Sequence, residues 1–346
     1  MNRQPKLLGL DLGFGFTKCT DGAQPVIFQS HMYRATESGI TPDHSAAGIH
    51  RIEMDGEAYV VGHDRAGLSP FEDFPRQPER LINDYGHHLI LTALATYSDQ
   101  EIPLYVVVGL PIAYFRRWET RLVENLSGYH KIGVRDPADR YARKNIHVRK
   151  LHVVPHPLGA FTSLIMDHEG RFRSSEYDAI KIALVDIGFR TTDVMIMDAT
   201  RFCHRGSETF QQGLVNAFAS IARRLDQETG QMPRLEQLYK AIHRGFIRVG
   251  DQEYNLKNLR EETFHHLSSA LADRINYALK DDWDIERVVL TGGGAVEIAE
   301  HLAPLVNGEV VLIEHDQDAR LGNAQGQLSL ARHMWGASGL CERNGQ

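Results

Sequence analysis

Two stretches of this chain place an aspartate two residues before a glycine, at the end of an apolar run. They are Leu10-Asp11-Leu12-Gly13-Phe14 and Val185-Asp186-Ile187-Gly188-Phe189. In each, a threonine (Thr17, Thr192) follows six residues after the aspartate, and the aspartates lie 175 positions apart in 346 residues. Glycine lets backbone approach a phosphate closely and takes positive φ without steric cost. A turn with successive exposed N–H groups makes an anion-binding concavity. A carboxylate beside such a turn repels phosphate unless a cation lies between, and Mg²⁺ with retained waters suits that place. Lys18 stands where an ammonium could neutralise phosphate charge. The plainer reading is two ordinary hairpins with strand-end aspartates and a surface lysine. The repetition favours a duplicated unit that presents two phosphate loops to one ligand.

A third glycine site follows the apolar run Val288-Val-Leu, in Thr291-Gly-Gly-Gly-Ala295. A tight turn accounts for one glycine; three in a row suggest backbone close to a nucleotide base, ribose or phosphate. The pattern is neither a GxxxxGK[ST] loop nor a GxGxxG fingerprint.

The elements that must position these residues alternate between strand and helix, which implies an α/β protein. Leu7–Leu12 and Phe16–Thr20 read as a hairpin around Gly13-Phe14-Gly15. Residues 25–65 read as further short strands, including Ala58–Gly62, and 66–84 as loop. Helices are expected near Gly86–Tyr97, Tyr114–Leu126 and 158–167, and through most of 213–280 with breaks at Gly230–Pro233 and Gly245–Asn255. Buried strands of the parallel-sheet kind are expected at Leu104–Gly109, Val148–Val154, Ile182–Asp186, Arg287–Leu290 and Glu309–Ile313, with Thr192–Met197 pairing across the second turn. A last helix runs from near Asn323 to Trp335.

Composition narrows the class. With 42% hydrophobic and 24% charged residues the chain has a globular balance. A formal charge of −7 argues against broad nucleic-acid binding through the phosphate backbone, so direct binding is not expected, while a local basic patch or a DNA-binding partner stays open. Cys19, Cys203 and Cys341 are odd in number and far apart, which suits a reducing compartment rather than a disulfide framework. No run approaches the roughly 18 apolar residues of a spanning helix. The opening MNRQPKLLGLDLGFG meets glycine and aspartate too soon for a secretory leader, so the expected setting is cytoplasmic. The adjacent pairs His87-His88 and His265-His266 do not share a helix face and read as incidental. Arg223-Arg224 reads as a helix surface, and Cys19 as a structural thiol.

Four segments together resemble the actin, sugar kinase and heat-shock chaperone ATPase superfamily: LDLGFGFTK (10–18), VVPHPLGA (153–160), VDIGFRTTDV (185–194) and LTGGGA (290–295). The GFRTTD phrasing, the AYVVG strand and LGNAQG (321–326) are most similar to the ParM/StbA prokaryotic actins and the archaeal actin-like proteins. The resemblance implies an actin-like (ribonuclease H-like) α/β fold of two related domains around a central nucleotide cleft. Domain I would comprise 1–155 plus about 325–346, and domain II 156–324. ATP or ADP with Mg²⁺ would occupy the cleft, with Asp11 and Asp186 holding the metal through water. Gly13, Phe14, Gly15 and Lys18 would bind phosphates from one side, and Gly188, Arg190 and Thr191 from the other. Gly292, Gly293 and Gly294 would line the nucleoside. It further implies an ATPase that assembles into a homopolymer, positions cargo such as plasmids, and works with a DNA-binding adaptor.

One position departs from the pattern. Between the two prolines of the connecting segment the superfamily usually carries glutamate or glutamine, which orients the attacking water. Here it is His156. A neutral imidazole has an ordinary pKa near 6.5 and can accept a proton from water; the alternative is that His156 only packs the hinge. Two other functions compete with a polymerising ATPase: a small-metabolite kinase, whose acid would have to be Asp193 or Asp198, and a nucleotide-gated adaptor that does not assemble.

Overall fold

The computed structural model describes residues 4–35, 48–62, 85–98, 102–135, 140–173, 175–233, 235–313 and 318–336. They form two compact units: 4–62, 85–180 and 318–336 make the first, and Lys181–Ile313 the second. The expected 66–84 loop lies outside the described residues.

In the first unit, β1 (Lys6–Leu12) and β2 (Phe16–Thr20) form the predicted hairpin, and β3 (Val26–Arg34) continues it antiparallel. Two further strands, β6 (Leu104–Leu110) and β8 (Tyr141–Pro155), run parallel to β1 on its other side. The smaller strands β4 (His50–Met54), β5 (Glu57–Gly62) and β7 (Gly128–Arg135) complete a hydrogen-bonded ring in the order β1-β2-β3-β5-β4-β7-β8-β6. The helices are α1 (Gly86–Tyr97), α2 (Ile112–Leu126), α3 (His156–Ile165) and, late in the chain, α8 (Gly322–Trp335).

The second unit holds β9 (Lys181–Ile187), β10 (Thr192–Asp198) and β11 (Arg201–Phe210) as an antiparallel set. On the other side of β9, β14 (Arg287–Thr291) and β15 (Glu309–Leu312) are parallel. The remaining elements are helices α4 (Leu214–Thr229), α5 (Leu235–Arg244), α6 (Lys257–Leu279) and α7 (Gly293–Leu302), and the hairpin β12 (Phe246–Val249) with β13 (Gln252–Asn255). Phe218 and Phe264, both fully buried, centre the helical layer.

The duplication suggested by the two aspartate–glycine motifs is present in the topology. The order β3-β2-β1-β6-β8 in the first unit matches β11-β10-β9-β14-β15 in the second, antiparallel on one side of the aspartate strand and parallel on the other.

One expectation is corrected. Strand β8 starts at Tyr141 rather than Val148: its outer half is polar because only Ile146 and Val148 face inward there. Strands β7 and β11 escaped the sequence reading for the same reason, as mixed polar runs with one wet face. Helix α3 falls in the first compact unit, which includes the residues up to 180. The cause is α8, which packs on α3. A Cβ at Gly159 would lie 2.4 Å from the Asn323 carbonyl, and one at Gly326 would lie 1.8 Å from the Gly159 carbonyl. The Ala160 N–H donates to Asn323 Oδ1 at 3.2 Å.

Candidate functional site

The first hairpin turns within four residues. Gly13 N–H donates to the Phe16 carbonyl at 3.2 Å, and the Gly15 carbonyl accepts from the Ser30 N–H at 3.0 Å. A Cβ on Gly13 would meet that carbonyl at 2.8 Å. The Phe14 side chain is buried edge-on to Tyr114 of α2, so any contact of this residue with a ligand is through its backbone. Ser30 on β3 braces the turn: its hydroxyl donates to the Gly13 carbonyl at 2.6 Å and lies 2.9 Å from Thr17 Oγ1. Nothing in the sequence pattern marks Ser30, because its role arises from strand pairing across 17 positions.

Asp11, Lys18 and His156 converge at the end of β1. Asp11 and Lys18 are cross-strand partners, and Lys18 Nζ donates to Asp11 Oδ2 at 2.7 Å. His156 opens α3, where Pro157 stands in the first turn. Its Nε2 lies 3.0 Å from Asp11 Oδ1 and 3.0 Å from the Gly109 carbonyl. Burial by itself would raise the Asp11 pKa; the Lys18 ammonium and then His156 outweigh it and hold the carboxyl well below the usual range. Ionised Asp11 and a carbonyl are both acceptors only. His156 Nε2 therefore carries a hydrogen, and in the neutral ring Nδ1 is the nitrogen that can accept one.

The second hairpin repeats the first with different chemistry. Gly188 N–H donates to the Thr191 carbonyl at 2.9 Å, as Gly13 does to Phe16. Asp186 stands opposite Asp193 in the β9–β10 register, the place that Asp11 and Lys18 hold in β1–β2. Both aspartates are buried. The Thr209 hydroxyl donates to Asp193 Oδ1, and the Thr192 hydroxyl donates to the Gln212 carbonyl at 2.9 Å. The start of α4 then locks the turn: Leu214 N–H donates to the Gly188 carbonyl at 3.3 Å and Val215 N–H to the Phe189 carbonyl at 2.7 Å. Arg190 sits in this turn, and burial lowers its guanidinium pKa to about 9.

The triple glycine joins the same cluster. Gly292 has φ +90°, and a Cβ there would fall 2.2 Å from Asp186 Oδ1. A Cβ at Gly294 would meet the Ile187 side chain and carbonyl, each at 2.7 Å. Two of the three glycines thus fit against the second hairpin itself, an internal reason that the sequence reading did not include. Gly293 is the first residue of α7. Thr291 faces Asp186 in the β14–β9 register, with its hydroxyl buried and without a hydrogen-bond partner among the described residues.

The structure thus brings Asp11, Gly13, Phe14, Gly15, Lys18 and His156 together in the first unit, and Asp186, Gly188, Arg190, Thr191 and Gly292–Gly294 in the second. Arg224 lies on the α4 surface, paired with Glu228 at 2.7 Å. Cys19 is fully buried, and burial pushes its thiol pKa up. No described helix is long and apolar enough to cross a membrane.

A duplicated antiparallel-then-parallel sheet, with an aspartate one residue before the end of the central strand of each copy, defines an actin-like class of fold. Family models agree: residues 9–159 match the N-terminal domain of actin-like proteins, and residues 184–304 match the C-terminal domain of the archaeal actin homologue MreB-like. The chain belongs to the actin-like proteins. Among solved structures, the ADP complex of Ta0583, an archaeal actin homolog, superposes with a TM-score of 0.76 at 20% identity, covering 94% of this chain and 99% of that one. A 15-stranded ParM filament from Clostridium botulinum gives 0.72 at 21% identity, covering 96% and 100%. Actin-like protein Alp7A gives 0.73 at 14% identity, covering 99% and 100%. No curated protein sequence matches the chain at a significant level.

Proposed function

We propose that this chain is an ATPase that binds ATP with Mg²⁺ and couples the nucleotide state to self-assembly in the cytoplasm. The observation that carries this reading is the paired hairpin: each unit places a buried aspartate one residue before the end of its central strand, beside a braced glycine turn. Backbone N–H groups at such turns suit phosphate oxygens. In this reading Gly13, Phe14, Gly15 and Lys18 of one hairpin, and Gly188, Arg190 and Thr191 of the other, bind phosphates, while Gly292–Gly294 border the nucleoside.

The donor set fits a hard divalent cation. Asp186 and Asp193 put two carboxylates opposite each other, where like charges repel unless compensated, and carboxylate oxygens suit Mg²⁺. Asp11 and Asp186 would hold the ion, which when bound neutralises charge on the phosphates. Lys18 is held by Asp11 in this structure, and in the nucleotide-bound protein its ammonium serves the phosphates. His156 keeps its Nε2 hydrogen on Asp11 and Gly109 and offers Nδ1 to a water proton. Asp193 bonds Thr209 within the sheet, so a substrate-deprotonating acid of the kinase kind has no support from it.

The solved relatives support assembly by likeness: one is a ParM filament and another an ADP complex. A role in positioning cargo such as plasmids through a DNA-binding adaptor extends the same reading. The test is right-angle light scattering with electron microscopy after addition of ATP-Mg²⁺, ADP or a non-hydrolysable analogue. ATP-dependent filaments are expected. Flat scattering well above micromolar protein with ATP still bound would replace assembly by a nucleotide-gated adaptor.

A further inference from the structure

The second unit carries a conspicuous knob. Trp283 is 92% exposed, far beyond what a monomeric surface asks of a tryptophan. It follows α6, where the Lys280 ammonium lies 3.8 Å from the Tyr277 ring centroid. Segment 280–286 holds four acids, Asp281, Asp282, Asp284 and Glu286, against one lysine. Asp281 and Asp284 stay half-exposed although Arg205 and Lys181 touch them.

The first unit carries the opposite. Residues 129–150 hold seven lysines and arginines and two acids, within a chain of net charge −7. Register places Tyr129 opposite His147, Lys131 opposite Asn145, and Gly133 opposite Arg143 on one face of the β7–β8 ribbon. Ile132, Ile146 and Val148 fill the other face. Tyr129, 79% exposed, stacks flat on His147 at 4.0 Å. The Tyr141 ring lies against Gly133, where a Cβ would be 2.5 Å from it. Lys131, Arg143 and Arg149 are exposed, and among the described residues Glu53, next to Gly133 on β4, is the acid beside them. Aromatic plates framed by cations suit an acid-flanked tryptophan, by stacking, cation–π contact and charge pairing.

We propose that the β7–β8 ribbon of one copy seats the Trp283 knob of a second copy. This rests on the assembly reading above and names its contact. Different surfaces meet, so a single ribbon-to-knob contact is heterologous and leaves each copy a free ribbon or knob for the next. A second copy is favoured over a nucleic acid because this chain itself presents the complementary acids and aromatic ring.

The test uses the full chain with ATP-Mg²⁺ and two variants: Trp283→Ala, and Lys131→Glu with Arg143→Glu. All these side chains are exposed, and nucleotide affinity within about twofold of wild type serves as the folding control. Each variant is expected to raise the critical concentration for scattering at least about tenfold, the scale of losing an interface anchor. Mixed together, they should sediment as a one-to-one dimer that does not extend, since one intact ribbon meets one intact knob. Wild-type polymer with either variant assembling at the wild-type concentration overturns this contact alone, as does a mixture that stays monomeric. A wild-type chain that never assembles overturns both readings. Ribbon variants that assemble normally but release a fluorescein-labelled single-stranded oligonucleotide assign the face to nucleic acid and overturn the proposal.

Discussion

Lys18 Nζ lies 2.7 Å from the Asp11 carboxylate, directly across the first hairpin, while the same register position of the second hairpin sets Asp193 opposite Asp186. The duplicated units thus differ at one cross-strand partner, an ammonium in one and a second carboxylate in the other. The first aspartate is neutralised from within, and the second pair invites a cation.

Removing the ammonium should reverse the pH behaviour of the first site. With Lys18 and His156 beside it, Asp11 has a folded-state pKa below its unfolded value near 3.9. Its stabilising contribution is complete above about pH 4 and is lost as pH falls through the folded value. In Lys18→Met, burial is opposed only by His156, and the Asp11 pKa moves up. Stability should then fall by on the order of 3 kcal/mol at neutral pH, and the deficit should shrink on acidification. Denaturant melts at pH 4 and pH 7.5 check this; equal deficits at both would show that the pair is not electrostatic.

His156→Ala removes the imidazole, and with it both the Nε2 donor and the basic Nδ1. The expected result is an ATPase rate lower by about 10²-fold, with ADP affinity unchanged and longer-lived scattering after ATP addition. An unchanged turnover rate would remove His156 from the mechanism.

Asp186→Asn should leave the unit folded and abolish the Mg²⁺ dependence of ADP affinity. Titration calorimetry with and without Mg²⁺ reads this. A variant whose affinity still rises with Mg²⁺ as in wild type would place the ion elsewhere.

Gly292→Ala forces a side chain into positive φ and onto Asp186. A loss of about 3 kcal/mol or more is expected, from backbone strain and overpacking together. Gly230→Ala is the control: its φ is +71° but no atom lies within 4 Å of the added Cβ, so about 1 kcal/mol is expected. Comparable losses would mean that backbone conformation alone explains the glycine.

Gln327 on α8 is fully buried with both amide atoms lacking partners among the described residues, its Nε2 filling the space that Gly109 leaves. Gln327→Met keeps the volume and removes the unsatisfied amide, so a gain of about 1–2 kcal/mol is expected. A loss would reveal a partner that the amide holds in solution.

The sequence by itself determined the local chemistry and most of the elements. Asp11 and Asp186, their glycine turns and the 175-residue echo were legible because apolar runs ending in glycine report strand and turn through short-range sterics. Helix α1 was legible at its observed bounds, and the interrupted helices of 213–280 also emerged, since periodicity is local. Only the tertiary structure decided what each residue touches. Ser30 bracing Gly13, Gly109 holding His156, and α4 locking the second turn depend on strands and helices distant in sequence. The glycines at 292 and 294 looked like room for a ligand, and the fold shows that they also make room for Asp186 and Ile187. The polar strands β7, β8 and β11 were hidden or shortened because a strand wet on one face has no apolar run, and only its partners reveal it. Charge followed the same rule: a total of −7 left room for a local basic patch, and strand register decided which cations share one face.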